Sequence, residues 1–206
     1  MIIAVDGPAA SGKGTIARAL AMHFGLPHLD TGLLYRAVGL SVLRHGGDPE
    51  HEIDALRACS FSEAMLHDPD IRCEAASRAA SVVSAHAAVR TALLERQLDF
   101  AAQPGGAVLD GRDIGTVIAP GADAKLFVTA TPEIRAKRRF AQLVGEGSQV
   151  EYTHVLTDIL DRDARDSGRS AAPLRQADDA ALLDTTNMTI AIAEAEAIRM
   201  IEANKR

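Results

Sequence analysis

Nine residues near the start of the chain, Gly7-Pro8-Ala9-Ala10-Ser11-Gly12-Lys13-Gly14-Thr15, combine the groups that a phosphate site needs. Gly7 and Gly12 permit backbone angles that turn successive N–H groups around an anion, with no Cβ in the way. Lys13 brings a positive charge to the outermost phosphates. Thr15 offers a hydroxyl to a phosphate-bound Mg²⁺, or to a water that holds it. The flanks make such a loop specific. Met1 to Asp6, MIIAVD, is short, apolar and rich in β-branched side chains, and reads as a strand. After the loop, Ile16, Leu20 and Phe24 share one helical face closed by Gly25. A helix beginning at Gly14 aims its dipole and its free amides at the same anion. An accidental glycine-rich turn would require neither neighbour.

Three further clusters carry charge or hydroxyls at useful spacings. In Asp30-Thr31-Gly32-Leu33-Leu34-Tyr35-Arg36, Thr31 and Tyr35 lie four apart on a helix, with Arg36 beside them. Hydroxyl, phenol and guanidinium together suit a phosphate or a sugar, although Thr31 also reads as an ordinary N-cap. In Asp110-Gly111-Arg112-Asp113, a carboxylate ends an apolar run, where it would orient a metal ion or its waters. Arg112 can fork onto a phosphate, and Asp113 can accept from an amino group, unless the two simply pair. Arg162, Arg165, Asp166 and Arg169 fall on one helical stripe if the helix runs that far. Guanidiniums gathered this way repel unless an anion arrives, but Asp158, Asp161 and Asp163 leave open a solvated face of i,i+4 pairs. Breaks at GEGS (145–148) and SGRS (167–170) favour a moving lid. Arg135, Lys137, Arg138 and Arg139 either reach a nucleoside triphosphate as that lid closes or form an exposed basic helix.

The elements that must hold these groups alternate. Apolar runs at 2–6, 107–110, 125–129 and 181–184, with a weaker one before Asp30, are separated by helical patterns at 31–45, 73–84, 86–103, 132–144, 149–167 and 189–203. Strands alternating with helices predict an α/β fold with a parallel sheet flanked on both faces, and a ligand at the carboxyl ends of the strands. Asp6, Asp30, Asp110 and Asp184 are therefore expected along one rim. The stretch 48–72 is polar and broken by Pro49 and Pro69.

Composition narrows the function classes. A chain of 206 residues with 47% hydrophobic side chains suits one domain with a real core. A net charge of −6 and only 3% aromatics argue against nucleic-acid partners. An anionic ligand must then be met by a local arginine cluster. Cys59 and Cys73 read as free thiols in a reducing cytoplasm. No run is long enough to cross a bilayer, and no secretory signal is visible. The seven histidines are scattered and read as surface or core residues.

The GKGT ending, with Gly14 between lysine and threonine, is typical of small-molecule and nucleotide kinases. The chain resembles the bacterial cytidylate kinases, a nucleoside monophosphate kinase family of the P-loop kinase fold. The matching pieces are IAVDGPAASGKGT, LDTGLLYR, ASVVSAHAAVRTALLERQ, LDGRDIGTV, KLFVTATPEIRAKRR, RDARDSGRSAAPL and LLDTT, in order and over nearly the whole chain. Segment 61–72 is shorter than the family pattern and shows no hairpin. The resemblance implies a single kinase domain: core 1–44, 86–130 and 171–206, a substrate-binding insert at about 45–85 and a lid at about 131–170. It implies transfer of the γ-phosphoryl group of ATP, with Mg²⁺, to CMP or dCMP. Gly7 to Thr15 would hold ATP. Arg36 and Arg112 would hold the phosphate of CMP, with Thr31 and Tyr35 beside it. Ser81, Arg90 and Asp113 would read cytosine, and Arg162 and Asp166 the ribose. Arg165 and Arg169 would face the phosphates from the lid. Lys13, Arg112, Arg162, Arg165 and Arg169 are the expected catalytic groups, and Thr15 and Asp110 the expected metal contacts, partly through water. LLDTT would lie near the ATP base. The expected partners are ATP, CMP and dCMP, for a cytoplasmic monomer without nucleic acid or membrane. A kinase for UMP, AMP or a small sugar acid, and a nucleotide-binding switch without an acceptor, are the rival readings. The absence of NKxD, DxxG and LSGGQ-type segments speaks against the switch.

Overall fold

A computed structural model describes residues 1–204. Lys205 and Arg206, which end the expected core segment 171–206, lie outside the described residues. The sheet comprises β1 (Ile2–Asp6), β2 (His28–Asp30), β3 (Ala107–Gly111), β4 (Ala124–Thr129) and β5 (Ala181–Asp184). Every pairing is parallel, in the order β2-β3-β1-β4-β5. β1 is central, and its side chains alternate between two cores as a period of two requires. Ile3 and Val5 pack with Ile16 and Leu20 of α1 (Lys13–Phe24) and with Ala197 and Ile201 of α8 (Ile190–Asn204). Ala4 faces the opposite core, where Leu109 and Ile114 meet Ala101 of α5 (Ala87–Ala101). Burial on both faces explains why these strands read as continuous apolar runs. The expected α/β architecture is therefore present. The weak strand before Asp30 proves to be a three-residue edge, paired with β3 through His28, Leu29 and Asp30.

Two further clusters sit at the carboxyl ends of the strands. One joins α2 (Gly32–Arg44), α4 (Glu74–Val83) and α5 through Leu34, Val38, Ala80, Val83 and Leu93. The other joins Ala9 of the glycine loop to α6 (Pro132–Gly145) and α7 (Tyr152–Gly168) through Ala136, Leu143, Val155 and Ile159. The uncertain stretch 48–72 folds as α3 (Glu52–Arg57) followed by three short 3₁₀ turns, without a strand. Phe61 and Ile71 tie it to α2 and α4. The described residues hold no helix long and apolar enough to cross a membrane.

Because Leu20 is fully buried between α1 and the sheet, Leu20→Ala should lower the unfolding free energy by about 2–5 kcal/mol. Urea denaturation checks this. A loss below about 1 kcal/mol would mean that α1 is not anchored through its apolar face.

Candidate active site

The glycine loop turns where β1 meets β4. A Cβ on Gly7 would lie 2.0 Å from the carbonyl oxygen of Val128, so only glycine fits. Gly12, at φ +92°, sits in the left-handed region and starts α1 at Lys13, one residue before the expected start. From the loop outward runs a cavity of about 490 Å³. Ala9, Ala10, Gly12, Lys13, Gly14 and Thr15 line one side, whereas Gly7, Pro8 and Ser11 lie beneath the lining. The Ser11 hydroxyl is buried with no hydrogen-bond partner among the described residues.

Opposite the loop, cations converge from four elements, and every residue expected for the acceptor side lines the same cavity. Arg36 on α2 and Arg162 on α7 both donate to the Ser77 hydroxyl of α4, at 3.1 and 3.3 Å. Arg112, just past β3, donates from Nε to Asp166 at 2.7 Å, and Arg162 is 3.9 Å from the same carboxylate. Arg90 on α5 pairs with Asp113, and Arg169, capping α7, lies 3.6 Å from it. Arg165 donates from Nε to the Ser81 hydroxyl at 3.2 Å. Within the stripe, Asp166 is buried against Arg112, and Arg162 and Arg169 are partly buried, whereas Arg165 remains exposed. Two expected groups are engaged differently. The Thr31 hydroxyl donates to the Asp110 carbonyl at 2.8 Å and forms no N-cap bond. The Tyr35 ring lies 5.5 Å from the Arg90 guanidinium.

Crowding of like charge marks the chemistry of the site. Desolvation, reinforced by Arg112, pulls the Lys13 ammonium down to about 7. Arg162 is lowered to about 10 by burial and by Arg112. Burial works against the charge of Arg112 too, but Asp166 outweighs it and the guanidinium is raised. The same arginines hold Asp166 below its ordinary value despite burial.

On the basic helix α6, Arg135 and Arg138 are engaged within the protein, while Arg139 lines the cavity. Arg135 is buried and donates to the carbonyls of Ala130 at 2.9 Å and Ala9 at 3.2 Å, and it pairs with Asp163. Arg138 donates to the Ser11 carbonyl at 3.4 Å and to Thr185. Arg139 pairs with Glu74, and only Lys137 is exposed. With the carbonyls of Ala9 and Ser11 taken from behind, the loop keeps its N–H groups for an anion. Arg138 also ties the LLDTT segment to the loop through Thr185, whose hydroxyl donates to the Ser11 carbonyl at 3.0 Å.

The rim of four aspartates is uneven. Asp30 and Asp110 line the cavity, Asp6 turns beneath it, and Asp184 stays at the far edge, accepting from Thr186. The histidines are not all bystanders. His28 Nε2 lies 2.7 Å from Asp110 Oδ1 and holds that carboxylate, while Oδ2 stays near Gly14, 3.6 Å from where a Cβ would sit. Reading sequence alone missed Ser77. The signal for it is the run Ser77, Ser81, Ser84, one hydroxyl per turn along α4.

Residues 3–203 match the family model described as "Cytidylate kinase". The chain belongs to the cytidylate kinase family. It is 58% identical over 205 residues to a cytidylate kinase of Xanthobacter autotrophicus, covering 100% of this chain and 99% of that relative. It is 56% identical to one of Methylocella silvestris, covering 98% of this chain and 94% of the relative. Among solved structures, a gluconokinase from Sinorhizobium meliloti superposes with a TM-score of 0.56 at 15% identity, over 98% of this chain and 91% of its own. At that identity the likeness concerns the fold alone: these are P-loop kinase neighbours.

Because burial and Arg112 pull the Lys13 ammonium down to about 7, phosphates beside it should restore its proton. ATP binding at pH 8 is then expected to take up protons, read by isothermal titration calorimetry in buffers of different ionisation enthalpy. Zero uptake would show that the ammonium is already charged before the phosphates arrive.

Proposed function

We propose that this family member transfers the γ-phosphoryl group of ATP to CMP or dCMP, giving ADP and the diphosphate, as a monomer in the cytoplasm. The single observation that carries this reading is the cavity itself. Loop amides and Lys13 stand on one side, and Arg36, Arg112 and Arg162 on the other. Lys13 and Arg112 are near enough for each to bear on the other's charge, so the two cradles meet where a transferred group would pass.

The roles follow from charge and hydrogen-bond capacity. Gly7, Pro8, Ala9, Ala10, Ser11, Gly12, Lys13, Gly14 and Thr15 form the donor cradle. Arg36 and Arg112 bind the acceptor phosphate, with Thr31 and Tyr35 lining its approach. The phosphate of CMP is already an anionic nucleophile, so no strong base is required. Charge on the in-flight phosphoryl group is met by Lys13, Arg112, Arg162, Arg165 and Arg169, and positioning with electrostatics does most of the work. Asp113, Arg90 and Ser81 complement the amino donor and ring acceptors of cytosine. Uracil would present an oxygen to Asp113 and leave it unpaired. Arg162 and Asp166 take the ribose.

Mg²⁺ is the companion of ATP in this reading. The described residues form no cluster of three or more acidic or histidine ligands able to hold a metal unaided. Hard oxygens at Thr15 and Asp110 beside the phosphate cradle fit an ion that keeps several waters and binds through substrate phosphates. When bound it would neutralise charge on the triphosphate.

The same reading divides the chain into a core (1–44, 86–130 and 171–206), an insert (about 45–85) and a lid (about 131–170). The separate apolar clusters of α2 with α4 and of α6 with α7 support that division. Closure of the lid would exclude water that otherwise hydrolyses ATP.

Incubation with Mg-ATP and each nucleoside monophosphate, with the diphosphate identified, should yield CDP and dCDP, with UDP formed far more slowly. Preferential UDP formation would remove the base assignment, and ATP binding without any diphosphate would favour a switch. Arg36→Ala and Arg112→Ala are each expected to lower turnover of CMP by about 10²–10³-fold with the fold retained by circular dichroism. Wild-type turnover in both would overturn the acceptor-phosphate assignment.

A further inference from the structure

Asp6 ends β1 immediately before the glycine loop, and no step above uses its carboxylate. It is 5% exposed. Ile114 N–H donates to one oxygen and Gly115 N–H to the other, each at 2.8 Å. These amides open the five-residue turn Ile114–Ile118, a π-type turn that the sequence reading did not anticipate. Without Asp6 they would be buried donors lacking an acceptor. The turn grows directly from the acceptor site. The Asp113 carbonyl accepts from Val117 at 2.8 Å and Ile118 at 3.2 Å, and its carboxylate meets Arg90 and Arg169. Arg112, one residue earlier, holds Asp166. The approach is close. A Cβ on Gly115 would sit 3.4 Å from Asp6 Oδ2 and 3.1 Å from Lys125 Cδ.

Burial lifts this carboxylate to about 6, against the pull of the two amides. With the folded value above the unfolded one, the contribution of Asp6 to stability rises as pH falls from about 6 towards 4. Its two hydrogen bonds to the turn are what it gives the structure at neutral pH.

We propose that Asp6 is a positioning residue for acceptor selection: it grips the turn after Asp113 and so sets Asp113 and Arg112 against the acceptor base and phosphate. This rests on the reading of Asp113 as the group that recognises cytosine. The arrangement also ties the donor loop, which begins at the next residue, to the acceptor side through one side chain.

Asp6→Asn keeps the size but turns an amide nitrogen towards one of the two N–H donors. Steady-state rates with CMP and UMP are expected to show a KM for CMP raised about tenfold and a CMP-to-UMP ratio of kcat/KM reduced about tenfold, with the KM for ATP changed less than about twofold (a tenfold change being the weight of one lost polar contact). Gly115→Ala displaces the same turn while leaving the carboxylate in place, and should give the same selective pattern. It keeps the test open if Asp6→Asn does not fold. A merely structural role would lower the melting temperature and reduce turnover of all acceptors alike, leaving the ratio untouched. A wild-type preference for CMP that survives in both variants overturns this inference alone. A wild-type chain that phosphorylates UMP as well as CMP overturns the Asp113 reading and this inference with it.

Discussion

Like charges cannot be packed into one cavity unless something holds them there, and that constraint shapes the whole carboxyl edge of this sheet. Lys13, Arg36, Arg90, Arg112, Arg162, Arg165 and Arg169 share a single cavity. Two buried carboxylates make the arrangement possible. Asp166 holds Arg112 at 2.7 Å with Arg162 at 3.9 Å, and Asp113 holds Arg90 with Arg169. The compensation is incomplete, since Lys13 and Arg162 both fall well below their ordinary values. The remaining positive potential is what a pair of phosphorylated substrates would neutralise.

The fold serves that gathering by delivering the cations from five separate places. Lys13 opens α1, Arg36 rides on α2, Arg90 on α5, Arg112 follows β3, and Arg162, Arg165 and Arg169 lie on or just after α7. A parallel sheet sends the chain back through a helix after every strand, so strand ends and helix starts collect on one edge. The serine stripe of α4 spaces guanidiniums that would otherwise touch, with Ser77 accepting from two of them. On the donor side, Arg135 and Arg138 of α6 donate to carbonyls of the loop. Arg135 and Arg138 thereby fix the loop's shape before any phosphate binds.

Where the sequence was legible, the reason is periodicity and punctuation. Ile3, Val5, Leu109 and Leu126 sit in short, mainly apolar runs between helical patterns, as buried parallel strands do, and Gly25 ends α1 in the left-handed region as expected. On the acceptor side Arg36, Arg112 and Arg162 stand out by their spacing, whereas Arg90 carries no local signal of its own and is named only through the family resemblance. The misreadings share one cause, partners distant in sequence. Arg135 was left between a phosphate contact and an exposed helix because its partners Ala9 and Asp163 come from two other segments. His28 looked like filler because Asp110 lies 82 residues away. The short β2 has three residues and no period to read, so only its pairing with β3 defines it.

If residues of about 131–170 act as the proposed lid, incomplete charge compensation would make its closure depend on occupancy. With α7 folded against α4, Arg162 lies close enough to Arg112 and Arg36 for both to depress it. Bringing these guanidiniums together therefore opposes closure when the cavity holds no anion. A phosphate dianion between them reverses the sign of the same interaction, so it binds the closed arrangement better than the open one. A ligand shifts a conformational equilibrium only by such a difference in affinity. Water is then excluded chiefly when the acceptor is present, which is when exclusion matters for a group that water would otherwise take. Asp166 is central to this balance, because it is the α7 carboxylate that Arg112 holds. The residue that makes closure tolerable without a ligand is thus carried by the same helix as the guanidiniums that make it favourable with one.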